Sequence, residues 1–172
     1  MRLTAFGTAA LESRGVSDAE FTMKFEREGF LVSTDPGLLD LDFVCRGLNR
    51  TYWAENRPRG VIEESIQNSL CFGVYEKEPR RQVGFARVVT DKATFAWICD
   101  VFIDEAQRKR GLGKWLMECV CCHPFVKDSM SILGTRDAHG LYEKYGFVRS
   151  EIMKRSPDRR LGHEAARHGS GP

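Results

Sequence analysis

The stretch from residue 97 to residue 117, WICDVFIDEAQRKRGLGKWLM, constrains the chain more than any other. Residues 97–103 form an apolar run of strand length, which predicts a buried strand. Residues 108–113 make a basic loop with two glycines. The apolar spacing that follows, Leu112, Trp115, Leu116, Cys119 and Val120, predicts a helix opening at the second glycine. A strand that feeds a glycine loop and a helix start makes an anion cradle. Glycine lets the backbone turn and come close to a ligand, and the free N–H groups of the first helical turn sit at the positive end of the dipole. Lys109, Arg110 and Lys114 add charge at the same place, so the expected ligand carries phosphate.

Two well-known glycine loops do not fit these residues. A Walker A loop needs a glycine where the chain has Arg108 and a Ser or Thr where it has Trp115. A dinucleotide fingerprint needs a third glycine where the chain has Leu116. Arg108-x-x-Gly111-x-Gly113 does fit, and resembles the acetyl-CoA loop of the GNAT superfamily of N-acetyltransferases. Val101-Phe102-Ile103 stands where these enzymes place the strand that meets the acetyl group. Leu141-Tyr142-Glu143-Lys144-x-Gly146-Phe147 resembles their C-terminal signature.

The resemblance covers residues 28 to 152 and implies a function. It implies an acetyl-CoA-dependent N-acetyltransferase acting on an amine of a small molecule or peptide, with acetyl-CoA as co-substrate and no metal. The diphosphate would rest on main-chain groups of Arg108, Lys109, Arg110, Gly111, Leu112, Gly113 and Lys114. The pantetheine arm would lie beside Val101, Phe102 and Ile103 as if it were a further strand. Tyr142 matches the tyrosine that protonates the leaving thiolate, whereas Tyr145 falls where the pattern is variable. Asp100, the only acid within its strand, is the candidate base. Strand alternation sets it opposite Val101, where it either looks into the cleft or pairs with a basic neighbour. Arg87, Arg136 and His139 are further polar candidates. Tyr52, Trp53, Arg57 and Arg59 fall on the wall that this superfamily turns toward the acceptor. Many relatives have asparagine where this chain has Thr135, so that contact with the coenzyme is not expected. A catalytically silent acyl-CoA-binding sensor is the alternative reading.

Composition narrows the other classes. Hydrophobic residues make up 42% and charged ones 29% of the 172, as in an ordinary globular domain. A net charge of +2 argues against a nucleic-acid partner. No apolar run reaches the roughly 18 residues a membrane span needs, and the first residues lack the pattern of a secretory signal. Of the six cysteines, Cys45, Cys71 and Cys99 sit in apolar runs and read as reduced, buried thiols of a cytoplasmic protein. Cys119, Cys121, Cys122 and His123 lack the spacing of a zinc site. A homodimer is admitted as an assembly without a motif that argues for it.

Taken in order, residues 1–27 read as an N-terminal extension, 28–155 as the N-acetyltransferase domain and 156–172 as a disordered tail. Phe30 to Ser33 is the expected first strand. Leu41, Val44, Cys45, Leu48 and Tyr52 mark the core stripe of a first helix, Pro58 breaks it, and Ile62 and Ile66 lie on a second. Three strands follow, joined by a polar loop containing Pro79 and a turn at Asp91. Gly73 and Gly84 within them predict a bulge or a close approach. After the loop and its helix, which Pro124 stops, come a strand at 131–134, a short helix capped by Asp137 and a last strand opening at Phe147. The fold class is α+β: a mixed, mostly antiparallel central sheet with helices on both faces.

Overall fold

The structure, a computed structural model, describes residues 22–155. The rest of the expected N-terminal extension and the expected tail lie outside the described residues. Six strands form one sheet in the order of the chain: β1 (Lys24–Arg27), β2 (Phe30–Ser33), β3 (Leu70–Glu76), β4 (Arg81–Thr90), β5 (Phe95–Ile103) and β6 (Met130–Leu133). Neighbours run antiparallel except β5 and β6, which are parallel. That pair is joined by a crossover through α3 (Leu112–Cys121) and α4 (Pro124–Lys127).

Two apolar layers sandwich the sheet. On one face α1 (Leu41–Asn49) and α2 (Arg59–Gln67) bury Val44, Cys45, Leu48 and Ile62 against Cys71 and Phe85. On the other, Leu112, Trp115, Leu116, Cys119 and Val120 of α3 pack onto Phe72, Val74, Ala86, Val88 and Ile98. The periodicity read from the sequence supplies both faces. Local chemistry fixes the ends: the Asp40 carboxylate accepts from the N–H of Phe43 at 2.9 Å and so caps α1. Asp91 accepts from the N–H groups of Ala93, Thr94 and Phe95 at 2.8–3.0 Å and from the Thr94 hydroxyl, which closes the β4–β5 turn. These bonds, the Thr94 hydroxyl first, hold the Asp91 carboxyl well below the usual range.

Several expectations are corrected. The sheet begins at Lys24, inside the segment read as an extension, because Lys24-Phe25-Glu26-Arg27 is an edge strand with charge on most positions and little apolar signal. No strand follows Gly146 among the described residues. Gly146 has φ +82°, and the chain after it is separated from β6 by an open groove of about 800 Å³ lined by both. Tyr52 lies past the end of α1 and is exposed, and Trp97 is 47% exposed at the start of a strand expected to be buried. α5 (His139–Tyr142) takes no cap from Asp137; the Thr135 hydroxyl accepts from the N–H of Ala138 at 3.1 Å instead. Gly73 and Gly84 behave as expected: a register shift falls at Val74/Tyr75, and a Cβ on Gly73 would lie 2.1 Å from the Tyr75 hydroxyl.

Candidate functional site

The site is built where two strands separate. β5 and β6 are paired from Phe95 opposite Met130 to Ile98 opposite Leu133, and the ladder ends there. From Cys99 to Ile103 β5 keeps β4 on one side and, among the described residues, has no strand on the other. The β4 register carries Phe85 opposite Phe102 and Arg87 opposite Cys99, so Ala86 faces both Asp100 and Val101. This is a bulge, and Asp100 takes φ +54° within it. The extra residue re-aims the side chains and bends β5 where its edge is open.

Asp100 takes the second of the two orientations that its strand position allowed. Its side chain is 2% exposed; Arg57 Nη1 donates to Oδ2 at 2.9 Å, and Arg87 Nε donates to the same oxygen at 2.8 Å. Arg87 Nη1 reaches on to Ser69 Oγ at 3.1 Å. One carboxylate therefore ties the α1–α2 loop, β4 and β5 together. A buried pair of this kind is strongly disrupted when one member is removed.

Beyond β5 the glycine loop is shaped by backbone angles that few residues adopt. Lys109 has φ +65° and Gly111 φ +76°. Gly111 is also the N-cap of α3, and it has no side chain to bond the first N–H groups of that ten-residue helix. A Cβ at Gly111 would meet nothing within 4 Å, and one at Gly113 would meet only Ile103 Cγ1 at 3.8 Å. The space in front of the helix is open, and Leu112, 4% exposed, anchors its first turn in the core. Lys109 and Lys114 are exposed beside it. Arg110 points away from this cradle: its guanidinium stacks 4.7 Å from the Phe30 ring, donates to Gln107 Oε1 and lies 3.8 Å from Glu76. Arg108 likewise folds back, with Nη1 3.3 Å from Glu105.

The two tyrosines separate cleanly. The Tyr145 hydroxyl donates to the Lys114 carbonyl at 2.6 Å and pins the turn after α5 to α3. The Tyr142 ring packs against the core and meets Phe147 edge-on at 6.1 Å, and among the described residues its hydroxyl has no recorded hydrogen bond. Burial first, then the Tyr52 phenol and the Asp137 carboxylate, push the Tyr142 phenol above its ordinary range, so it keeps its proton at neutral pH. Tyr52 and Trp53 pack edge-to-face at 4.8 Å, and the Arg136 guanidinium lies 4.1 Å over the Tyr52 ring. That contact joins the α1–α2 loop to the β6–α5 loop; the sequence offered Arg136 as a polar candidate, with nothing to pair it with Tyr52. Arg59 turns outward to Asp42 and Glu63, and His139 begins α5 half-buried.

Cys119 is buried, Cys122 exposed, and His123 is a buried N-cap whose Nδ1 accepts from the N–H of Phe125. Among the described residues no group of three or more His, Cys, Asp or Glu could hold a metal ion. Nor is any of their helices long and apolar enough to cross a membrane.

Comparison with known proteins agrees with this geometry. The sequence model of the acetyltransferase (GNAT) domain matches residues 67–149. A crystal structure from Xanthomonas campestris pv. campestris, described as an acetyltransferase of the GNAT family, is 41% identical. It superposes with a TM-score of 0.71 over 76% of this chain and 95% of its own. A Gibberella zeae protein named as an acetyltransferase is 32% identical over 110 residues, 54% of this chain; the chain spans 62% of the length of that curated relative. Glucosamine-6-phosphate N-acetyltransferase from Arabidopsis thaliana, 17% identical, shares the fold with a TM-score of 0.56 over 75% of this chain and 98% of its own. On the family model, the Xanthomonas structure and the fold together, the chain belongs to the GNAT family of acetyltransferases.

Proposed function

We propose that this chain transfers the acetyl group of acetyl-CoA to an amine of a small molecule or peptide. The observation that carries the reading is the parting of β5 from β6 after Ile98, immediately ahead of a helix whose first N–H groups are uncapped. An unpaired strand edge takes up an extended polar chain through main-chain hydrogen bonds. An uncapped helix start takes up a diphosphate. The two lie in succession along the chain, which suits a ligand with a pantetheine arm at one end and phosphates at the other.

In this reading the main-chain groups of residues 109–114 hold the diphosphate, with Lys109 and Lys114 adding charge. Arg108 and Arg110 contribute backbone only, since their side chains are engaged elsewhere. Val101, Phe102 and Ile103 receive the pantetheine arm, and a main-chain N–H of that edge faces the thioester oxygen as negative charge develops on it. The acceptor nitrogen forms its bond to the carbonyl carbon while the carbon–sulfur bond breaks. Tyr142 gives its proton to the departing sulfur, and the proton lost by the amine leaves to solvent. Asp100 takes a positioning role in place of the base role expected for it. Its Oδ2 is committed to two guanidiniums, and through them it fixes the bulge and the acceptor-side loop.

Gly113 supplies the cleanest test, because it lies in the helix with room around it and its replacement should not disturb the fold. Calorimetry should show micromolar-range binding of acetyl-CoA that Gly113→Leu abolishes, and thiol release should appear with members of an amine panel. Unchanged affinity in the variant would remove the loop from the reading. Tight binding with no thiol release across a broad panel would favour a silent coenzyme sensor.

A further inference from the structure

We infer that the acceptor amine carries an oxyanion, a carboxylate or a phosphate, which the Arg136 guanidinium reads while stacked on Tyr52. This rests on the acetyl-transfer reading above and deepens it. The acceptor-side wall is made by two loops, one leaving α1 and one leading from β6 into α5, and they touch through this stack at 4.1 Å. Tyr52 is braced in turn by the edge of Trp53 at 4.8 Å. Both rings are more than two-fifths exposed, at 45% and 43%, so the stack stands at an open mouth and not in the core.

A guanidinium held over a ring by cation–π attraction still has N–H donors to offer, and their fork matches the paired oxygens of a carboxylate or phosphate. Among the described residues the recorded partner of Arg136 is the Tyr52 ring, with no carboxylate at ion-pair distance. The arginines around it differ: Arg57 and Arg87 are spent on Asp100, and Arg59 on Asp42 and Glu63. Asp137 and Glu55 are the carboxylates of the two loops, both exposed, and neither forms a recorded ion pair with Arg136. The buried carboxylate nearest the reacting strand, Asp100, is already matched by two cations, so it has no charge left over to attract a polyamine. A polycationic acceptor would therefore meet an unpaired arginine and a neutralised acid.

Paired acceptors test this: glycine against glycinamide, and phosphoethanolamine against ethanolamine. Each is titrated into acetyl-CoA-saturated protein by calorimetry and assayed for thiol release. The member of at least one pair that carries the oxyanion should bind about ten- to a hundredfold tighter than the member that lacks it. Arg136→Gln should erase that ratio through KM while leaving kcat and acetyl-CoA affinity unchanged, and Arg136→Lys should restore part of it. The carboxylate and phosphate pairs tell the two oxyanions apart. Equal binding of members with and without the oxyanion, or a preference that survives in Arg136→Gln, overturns the inference and leaves acetyl transfer standing. Absence of thiol release with every amine, alongside a charge-dependent binding ratio that Arg136→Gln removes, supports the anion site and counts against transfer.

Discussion

Gly47 on α1 and Phe102 on β5 occupy one space: a Cβ on the glycine would lie 2.2 Å from two atoms of the Phe102 ring. The ring is packed further by Phe43 at 5.6 Å and Phe85 at 6.1 Å, so it has little room to withdraw. Gly47→Ala should gain up to about 1 kcal/mol of helix propensity and lose about 1–3 kcal/mol to overpacking. The expected net effect in denaturant unfolding is destabilisation by about 1 kcal/mol, with weaker acetyl-CoA binding as β5 is displaced. A variant more stable than the parent would show that the ring moves freely.

Tyr142→Phe should lower kcat by about a hundredfold or more while sparing acetyl-CoA affinity, the range expected when a proton donor is removed. Tyr145→Phe should do the reverse. It loses the bond to the Lys114 carbonyl, costs about 1 kcal/mol of stability and keeps kcat. Steady-state kinetics and melts on both variants decide between them, and activity lost at Tyr145 alone would reverse the assignment.

Asp100→Asn leaves Arg57 and Arg87 facing a neutral amide from a site that is 2% exposed. A loss of about 3 kcal/mol is expected on unfolding. If the residue positions the bulge and the loop, kcat falls by a similar factor at every pH. Disappearance of the acidic limb of the rate profile in the variant would instead identify Asp100 as the base.

Alkaline pH should weaken the fold. Burial is the leading cause that pushes Cys71 and Cys119 up to about 12 and Cys99 and Cys121 up to about 11, and it also raises Tyr142. In the unfolded chain a thiol ionises near pH 8.5. Below that pH both states hold their protons and stability does not change. Above it the unfolded chain releases protons that the folded chain keeps, so stability falls as pH rises toward 11–12. Melting temperatures should be level from about pH 6 to 8 and decline from about pH 9. Replacing Cys71 by alanine should make that decline shallower, and a midpoint that holds steady to pH 11 would contradict the assignment.

The sequence made the two apolar layers and the glycine loop legible because each is a local, periodic signal. The stripe on α1, the α3 face and the turn at Asp91 all appear in the structure where their residue pattern put them. The misreadings fall where pairing is settled by distant residues. Lys24 to Arg27 becomes a strand because β2 is beside it, and residues 147–150 do not because they stand off from β6. The orientation of Asp100 was undecidable from alternation, since an inserted residue breaks the alternation at that very position. Arg110 looked like a phosphate ligand by proximity, but the Phe30 ring, distant in sequence, and the neighbouring Gln107 claim it.

The parting of β5 from β6 has a consequence for how the molecule breathes. A sheet whose fifth and sixth strands separate partway carries a seam of main-chain donors and acceptors that no neighbouring strand pairs on one side, among the described residues. Amides on that side of residues 99–103 should exchange with deuterium much faster than those of β3 and β4, although they lie at the middle of the chain. Filling the seam with an extended ligand completes the ladder, and the rate at which those few hydrogens are lost then becomes a direct gauge of occupancy.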